Sequence, residues 1–220
     1  MLRFDSEKNK SILKYNQALK SGKIDERVTS VLNILNNHDN YFTTSSCSGR
    51  ILLLAVEKPG AKSESRMIEK WHDRVILMEL KEGISNWTKF EYLYFLAQSP
   101  IFHISARNIL SATHLRNLAD SAGFKYSSIR SIKPITQKVK AKVSMLWVND
   151  SEIRELTDNQ NLRITVELLS TERLNIPIGV NKQILVDDNY LSMIVDLAND
   201  SITESQRKVK KLEKVLRNKL

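Results

Sequence analysis

The sequence predicts an α+β fold, non-Rossmann in type, with helices packed on mixed sheets and a long amphipathic C-terminal helix. Three observations carry this. Helix-periodic and strand-like segments are interspersed along all 220 residues. The glycines stand at 22, 49, 60, 83, 123 and 179, too far apart for the Gly-x-Gly turn of a doubly wound nucleotide-binding sheet. From about residue 187 to 218, apolar residues recur in steps of four and three.

Taken in order, Ile12, Tyr15 and Leu19 give helical spacing over roughly 6–19, with Gly22 as a stop. Asp25 is a suitable N-cap for a second helix carrying Val28, Val31, Leu32 and Leu35, because its carboxylate can accept free amide protons of the first turn. Tyr41–Thr44 and Ile51–Val56 read as strands, the second apolar enough to be buried on both faces. Residues 57–66, with Pro59 and Gly60, read as a loop. A strand through Trp71 and His72 and a short helix ending near Gly83 follow. Thr88–Leu96 and Ile101–Ser105 are strand-like. Asn108 can cap a helix that buries Leu115, Leu118, Ala119 and Ala122 and stops at Gly123. Further strands are expected near Ser128–Ile132, Val139–Val148 and Leu162–Leu169, with a polar excursion at 149–161.

In the last helix the seam is Leu191, Val195, Ala198, Ile202, Ser205, Val209, Leu212 and Leu216, with one polar interruption at Ser205. Such a seam either packs on its own domain, here against the first helix, or drives self-association. No linker divides the chain, so one domain over 1–220 is expected.

Composition narrows the class. The chain is 41% hydrophobic and 27% charged, ordinary for a soluble globular protein. A single cysteine excludes a disulfide framework and Cys-based zinc sites and suits a reducing, intracellular compartment. No apolar run approaches the ~20 residues that span a membrane. The start, Met1 to Lys8, lacks the apolar core of a signal peptide. A cytoplasmic, soluble protein without membrane contact is expected. The four histidines, 38, 72, 103 and 114, form no ligand pair at helical spacing, so no metal is expected.

The net charge is +9, from 34 Lys and Arg against 25 Asp and Glu, which favours polyanionic partners, nucleic acid first. No acid lies between Asp120 and Asp150. Lys138, Lys140 and Lys142 alternate with Val139, Ala141 and Val143, so a strand would present three ammonium groups on one face. Such a row either follows a phosphate backbone or guards a sheet edge against aggregation.

The densest polar feature is the turn Ser45-Ser46-Cys47-Ser48-Gly49-Arg50 between two apolar strands. The serines offer hydroxyls, Gly49 allows close approach to the backbone, and Arg50 offers a rigid fork for a carboxylate or phosphate. A structural turn with a semi-buried, inert Cys47 is the competing reading. Trp71-His72 offers a stacking face beside a titratable ring, or a core tryptophan with a satisfied histidine. His103 and Arg107, four apart at the end of a strand, share a face and could serve as base and anion clamp, or be structural.

The run Phe42-Thr43-Thr44-Ser45-Ser46-Cys47-Ser48-Gly49-Arg50-Ile51 closely resembles the signature of the third wybutosine-synthesizing proteins of archaea and eukaryotes. Pro100-Ile101-Phe102-His103-Ile104 resembles that family's Pro-x-x-x-His strand. Ala122-Gly123-Phe124-Lys125 with Ser127 and Ile129, and Ser170-Thr171-Glu172-Arg173-Leu174 with Pro177, resemble two further segments. Ser99 stands where a Glu often precedes the proline, Ser128 where Gly is usual, and residues 135–160 form a longer, basic insert.

The resemblance covers nearly the whole chain. It implies an S-adenosyl-L-methionine-dependent methyltransferase acting at N4 of the tricyclic, wyosine-type guanosine derivative next to the anticodon of phenylalanine tRNA. On that expectation Ser45, Ser46, Cys47, Ser48, Gly49 and Arg50 bind the cofactor. His103 or His72 accepts the proton of the attacking nitrogen. Trp71, Arg107, Glu172, Lys138, Lys140 and Lys142 bind the substrate. Two rivals stand beside it: a catalytically silent tRNA-binding module serving another enzyme, and a DNA-compacting protein using the basic tail and heptad helix.

Overall fold

The computed structural model describes residues 3–59, 64–134 and 162–220. The basic stretch carrying Lys138, Lys140 and Lys142, with the strand expected at 139–148, lies outside the described residues.

Five helices and nine strands are described. In chain order they are α1 (Arg3–Lys20), α2 (Glu26–Asn37), β1 (Tyr41–Cys47), β2 (Arg50–Val56), β3 (Ser65–Trp71), α3 (Leu77–Ser85), β4 (Tyr92–Gln98), β5 (Ile101–Ala106), α4 (Ile109–Ser121), β6 (Ser128–Pro134), β7 (Leu162–Leu169), β8 (Leu174–Val180), β9 (Gln183–Ile184) and α5 (Asp188–Lys219). The strands form two sheets, of order β1-β5-β7-β6 and β3-β2-β4-β8-β9. Every neighbouring pair is antiparallel, so the described residues contain none of the parallel crossovers of a doubly wound sheet. The expected α+β, non-Rossmann class is the observed one, with both described sheets antiparallel where mixed sheets were expected.

The chain divides into two compact units. One comprises Met1–Cys47, Ile101–Ser170 and Lys208–Leu220; the other comprises Ser48–Pro100 and Thr171–Arg207. Each is assembled from separated stretches, which is why no linker announces either in the sequence.

The first unit contains the four-stranded sheet. Phe102, Ile104, Ile164, Val166 and Leu168 alternate onto one face of it. They pack with Val31 and Leu35 of α2, Leu115 and Ala119 of α4, and Val209, Leu212 and Leu216 of α5. Asp25 caps α2 as expected, accepting from the Arg27 amide at 3.0 Å. Asn108 caps α4 by accepting from the Ser111 amide at 2.8 Å. Tyr41 is buried beneath α4 and donates to the Ser111 carbonyl at 2.9 Å; burial pushes its hydroxyl up to about 12. α1 lies on β1. Ser11 donates to the Thr43 carbonyl at 2.8 Å, and the Phe4 and Phe42 rings pack 5.1 Å apart.

In the second unit Ile51, Leu53, Leu93, Phe95 and Ile178 of the five-stranded sheet pack with Leu80 of α3 and with Leu191, Ile194, Val195, Ala198 and Ile202 of α5. The buried Asn199 amide both accepts from the Val75 N–H and donates to its carbonyl, each at 2.9 Å, which satisfies a loop backbone inside the core. Trp87 lies over Gly179, where a Cβ would stand 2.7 Å from the indole.

All eight seam positions of α5 are buried, so the seam is used within the chain's own cores. Its last turns bond α2 through Ser30, which donates to Glu213 at 2.7 Å. The expected loop at 57–66 runs into β3 at Ser65, and β8 and β9 arise where no strand was predicted.

Candidate active site

On the four-stranded sheet, the face opposite α2, α4 and α5, which α1 covers in part through Phe4 on Phe42, carries a row of polar side chains. It owes its composition to one irregularity. Thr43 pairs with Ile104 on the core face, whereas Ser45 pairs with His103, so Thr44 is the extra residue of a β-bulge. Without that bulge Ser45 would fall opposite Phe102 and turn inward. Thr44 closes the bulge by donating its hydroxyl to the His103 carbonyl at 3.1 Å.

The consequence is a hydrogen-bonded line across the sheet. Ser45 Oγ lies 2.9 Å from His103 Nδ1, and His103 Nε2 lies 2.8 Å from Glu167 Oε2. Cross-strand register explains this, since His103 on β5 pairs with Ser45 on one side and Glu167 of β7 on the other. Arg130, the extra residue at a second register shift in β6, places Nη1 3.5 Å from Glu167 Oε1. Glu167 is 7% exposed, so its charge is held among partners, while the histidine retains contact with solvent.

A cavity of about 320 Å³ opens beside this row, lined by Lys14, Tyr15, Lys23, Leu32, Ser45 and Ser46. A second, of about 430 Å³, lies on Lys10, Lys14, Thr44 and Arg163. Lys14 lines both cavities, with Lys23 in the first and Lys10, one helical turn away, in the second, so cations outnumber the single carboxylate of each, Asp25 and Glu7.

Of the residues expected from the sequence, Ser45, Ser46, Cys47, His103 and Arg107 belong to the first unit. Arg107 is engaged away from the polar row, by α1 and the segment before β1. β5 ends at Ala106, and the Arg107 guanidinium turns to Asp5 at 2.6 Å, to the Asp39 carbonyl at 2.9 Å and over the Phe4 ring at 4.5 Å. It fastens α1. Cys47 is a half-buried free thiol at the end of β1.

Ser48, Gly49, Arg50, Trp71, His72 and Glu172 belong to the second unit. Ser48 is buried; Gly49 adopts φ +94°. Arg50 donates from Nε to Gln98 Oε1 at 2.8 Å, which fixes the plane of its guanidinium. Trp71 ends β3 opposite Ile51, half-buried against the second core, and His72 follows it. Glu172 accepts from the Thr171 hydroxyl at 2.8 Å.

Glu167 and Arg130 were not among the residues expected at the site. A signal existed: in Leu162–Leu169, Arg163, Thr165 and Glu167 alternate with Ile164, Val166 and Leu168. It marks a polar face without naming the strand beside it. Among the described residues no group of three or more His, Cys, Asp or Glu is placed to hold a metal, and no helix is long and apolar enough to cross a membrane.

Comparison with known proteins gives the chain its relatives. The family described as Methyltransferase TYW3 matches residues 6–218. A Pyrococcus horikoshii protein named tRNA(Phe) 7-((3-amino-3-carboxypropyl)-4-demethylwyosine(37)-N(4))-methyltransferase 1 is 36% identical over 210 residues, 96% of this chain and 93% of its own. The corresponding methyltransferase of Methanocaldococcus jannaschii is 32% identical over 204 residues, covering 92% and 91%. A solved structure from Pyrococcus horikoshii matches with a TM-score of 0.78 at 34% identity, over 97% of this chain and 95% of that one.

Proposed function

The chain belongs to the Methyltransferase TYW3 family, and from that premise we propose that it is an S-adenosyl-L-methionine-dependent tRNA methyltransferase. Its substrate on this reading is phenylalanine tRNA carrying a wyosine-type precursor, and the methyl group goes to N4 of the tricyclic base. One observation carries the reading. Ser45 of the Ser-Ser-Cys run and His103 of the Pro100–Ile104 segment are 58 residues apart in sequence and 2.9 Å apart in space. Two separately recognised motifs thus supply one hydroxyl–imidazole pair.

The methyl donor supplies a carbon electrophile on a sulfonium. The donor set offered by this chain suits it. With Nε held by Gln98, the two terminal nitrogens of Arg50 present a planar fork that suits the methionine carboxylate. Hydroxyls of Ser46 and Ser48 suit the amino and ribose groups. Trp71 is assigned to stacking on adenine or the modified guanine. His103 accepts the proton of the attacking nitrogen, with His72 as the second candidate. Glu172 and the Lys138, Lys140 and Lys142 row are assigned to the tRNA. Arg107, occupied by Asp5, would serve the substrate only by holding α1. On this reading residues 1–220 are a single tRNA-modification domain working in the cytoplasm.

The test is incubation of the protein with precursor-bearing phenylalanine tRNA and S-adenosyl-L-methionine, followed by nucleoside mass spectrometry. The expected result is a mass gain of one methyl in place of one hydrogen on the tricyclic nucleoside. tRNA binding with neither donor binding nor mass gain would establish instead a silent tRNA-binding module. Equal affinity for duplex DNA and tRNA would favour a compacting protein.

A further inference from the structure

We infer that Ser45, His103 and Glu167 form a proton path for the methyl transfer, in which Ser45 belongs to the path and not to the methyl donor, and Glu167 is the positioning residue that sets the tautomer of His103. The inference rests on the methyltransferase reading above and assigns roles to two residues within it.

With Glu167 as a carboxylate, the chemistry of the partners gives each hydrogen bond its direction. Ionised Glu167 can only accept, so the 2.8 Å contact requires a proton on His103 Nε2. In the neutral ring Nδ1 then carries a lone pair, and the 2.9 Å contact there requires Ser45 to donate its hydroxyl proton. The hydroxyl proton is committed inward, and the Ser45 oxygen keeps its remaining lone pairs for a donor arriving from solvent or substrate. That oxygen is exposed and borders the 320 Å³ cavity. A ring N–H entering there would find an acceptor with an imidazole behind it. Arg130 adds a cation to the far oxygen of the same carboxylate and so holds it to one orientation.

The step balances as follows. The substrate N–H bond breaks, its proton bonds to Ser45 Oγ, and the Ser45 hydroxyl proton passes to His103 Nδ1. The electron pair left on the substrate nitrogen forms the new N–CH₃ bond, while the pair of the donor's carbon–sulfur bond stays on sulfur as a thioether. His103 becomes an imidazolium facing Glu167, which compensates its charge; its Nδ1 proton then passes back to Ser45 Oγ as the exposed Ser45 hydroxyl gives its own proton to water. Ser45 is regenerated. The bulge at Thr44 is what makes this line available, because it turns Ser45 onto the face of His103.

The test has one arm that needs no turnover and one that does. In ¹⁵N-labelled wild-type protein, imidazole NMR should show neutral His103 protonated at Nε2. Protonation at Nδ1 overturns the inference whether or not the protein methylates anything. In Glu167→Gln the fixed tautomer should give way to a mixture; an unchanged spectrum overturns the positioning role. For turnover, Ser45→Ala and Glu167→Gln should each lower the single-turnover rate about 10²-fold, with KM for tRNA and donor affinity unchanged. Ser45→Thr, which restores a hydroxyl, should recover most of the rate. A Ser45→Ala enzyme that keeps the wild-type rate, or one that fails only through weakened donor binding, overturns the proton path. A wild-type protein inactive on precursor tRNA defeats the methyltransferase reading and leaves the tautomer arm standing.

Discussion

The carbonyl oxygen of Gln98 lies 2.8 Å from the point where a Cβ on Gly49 would stand, and Gly49 holds φ +94°. Both facts demand glycine, and neither involves a ligand. Gly49→Ala should therefore destabilise the ligand-free protein by about 2–3 kcal/mol, from strain in the left-handed region plus a contact with unyielding backbone. Urea unfolding of the free protein is the measurement. A loss seen only as weaker donor binding would mean that the glycine serves the ligand alone.

Arg50→Lys should fold as well as wild type, since the lysine keeps the charge and can still reach Gln98. It cannot offer two parallel hydrogen bonds to a carboxylate. On the proposed donor role, S-adenosyl-L-methionine affinity by calorimetry should fall on the order of 10²-fold while tRNA affinity holds. A cost below about 1 kcal/mol would identify Arg50 as an ordinary exposed partner of Gln98.

Cys47→Ser should retain methyl transfer within roughly tenfold. A ring nitrogen freed of its proton attacks the methyl carbon directly, so no covalent thiol adduct is needed. The half-buried thiol contributes packing and little else. A folded, donor-competent variant with no turnover would place the sulfur in the chemistry.

Replacing Lys138, Lys140 and Lys142 together by Ala should weaken tRNA binding by a few kcal/mol at low salt and flatten its salt dependence, because each lost phosphate contact removes a released counterion. Lys10→Ala with Lys14→Ala tests the cavity-lining lysines of α1 in the same assay. Donor affinity should not change in either variant. A salt slope equal to that of wild type in the triple variant would assign those lysines to guarding a sheet edge.

The Ser30 hydroxyl, followed by Arg217, lowers the Glu213 carboxyl below its ordinary value of 4.5, against the opposing effect of burial. A carboxylate with a depressed native pKa stabilises the fold above its unfolded value and ceases to do so as pH falls through the native one. Ser30→Ala should thus cost about 1 kcal/mol at neutral pH and progressively less below about pH 4.5. Denaturant titrations at several pH values would show it; a cost that stays constant into acid would mean the hydroxyl acts by packing.

Sequence periodicity was enough wherever one element decides its own environment. Asp25 caps α2 because capping is a matter of two or three residues, and every α5 seam position is buried because its period is intrinsic. It was not enough where two strands must be laid side by side. Ser45, His103 and Glu167 meet only through the order β1-β5-β7 and a bulge at Thr44, and neither is written in local alternation. Arg107 misled because spacing shows which residues share a face but not that a distant carboxylate, Asp5 of α1, takes up the guanidinium. β8 was missed because Pro177 reads as a strand breaker, yet it sits opposite Tyr94 at a register shift, where a missing amide proton is tolerated.

α5 is the last of these elements to leave the ribosome, and it closes both hydrophobic layers. While strands β1 to β9 emerge, Leu53 and Phe95 have no Ile194 or Ala198 to cover them, and Leu35 and Leu115 have no Leu212 or Leu216. Neither core can therefore close before α5 has joined it. A chain cut short before α5 would leave both apolar faces open, an aggregation-prone product with no folded half to rescue.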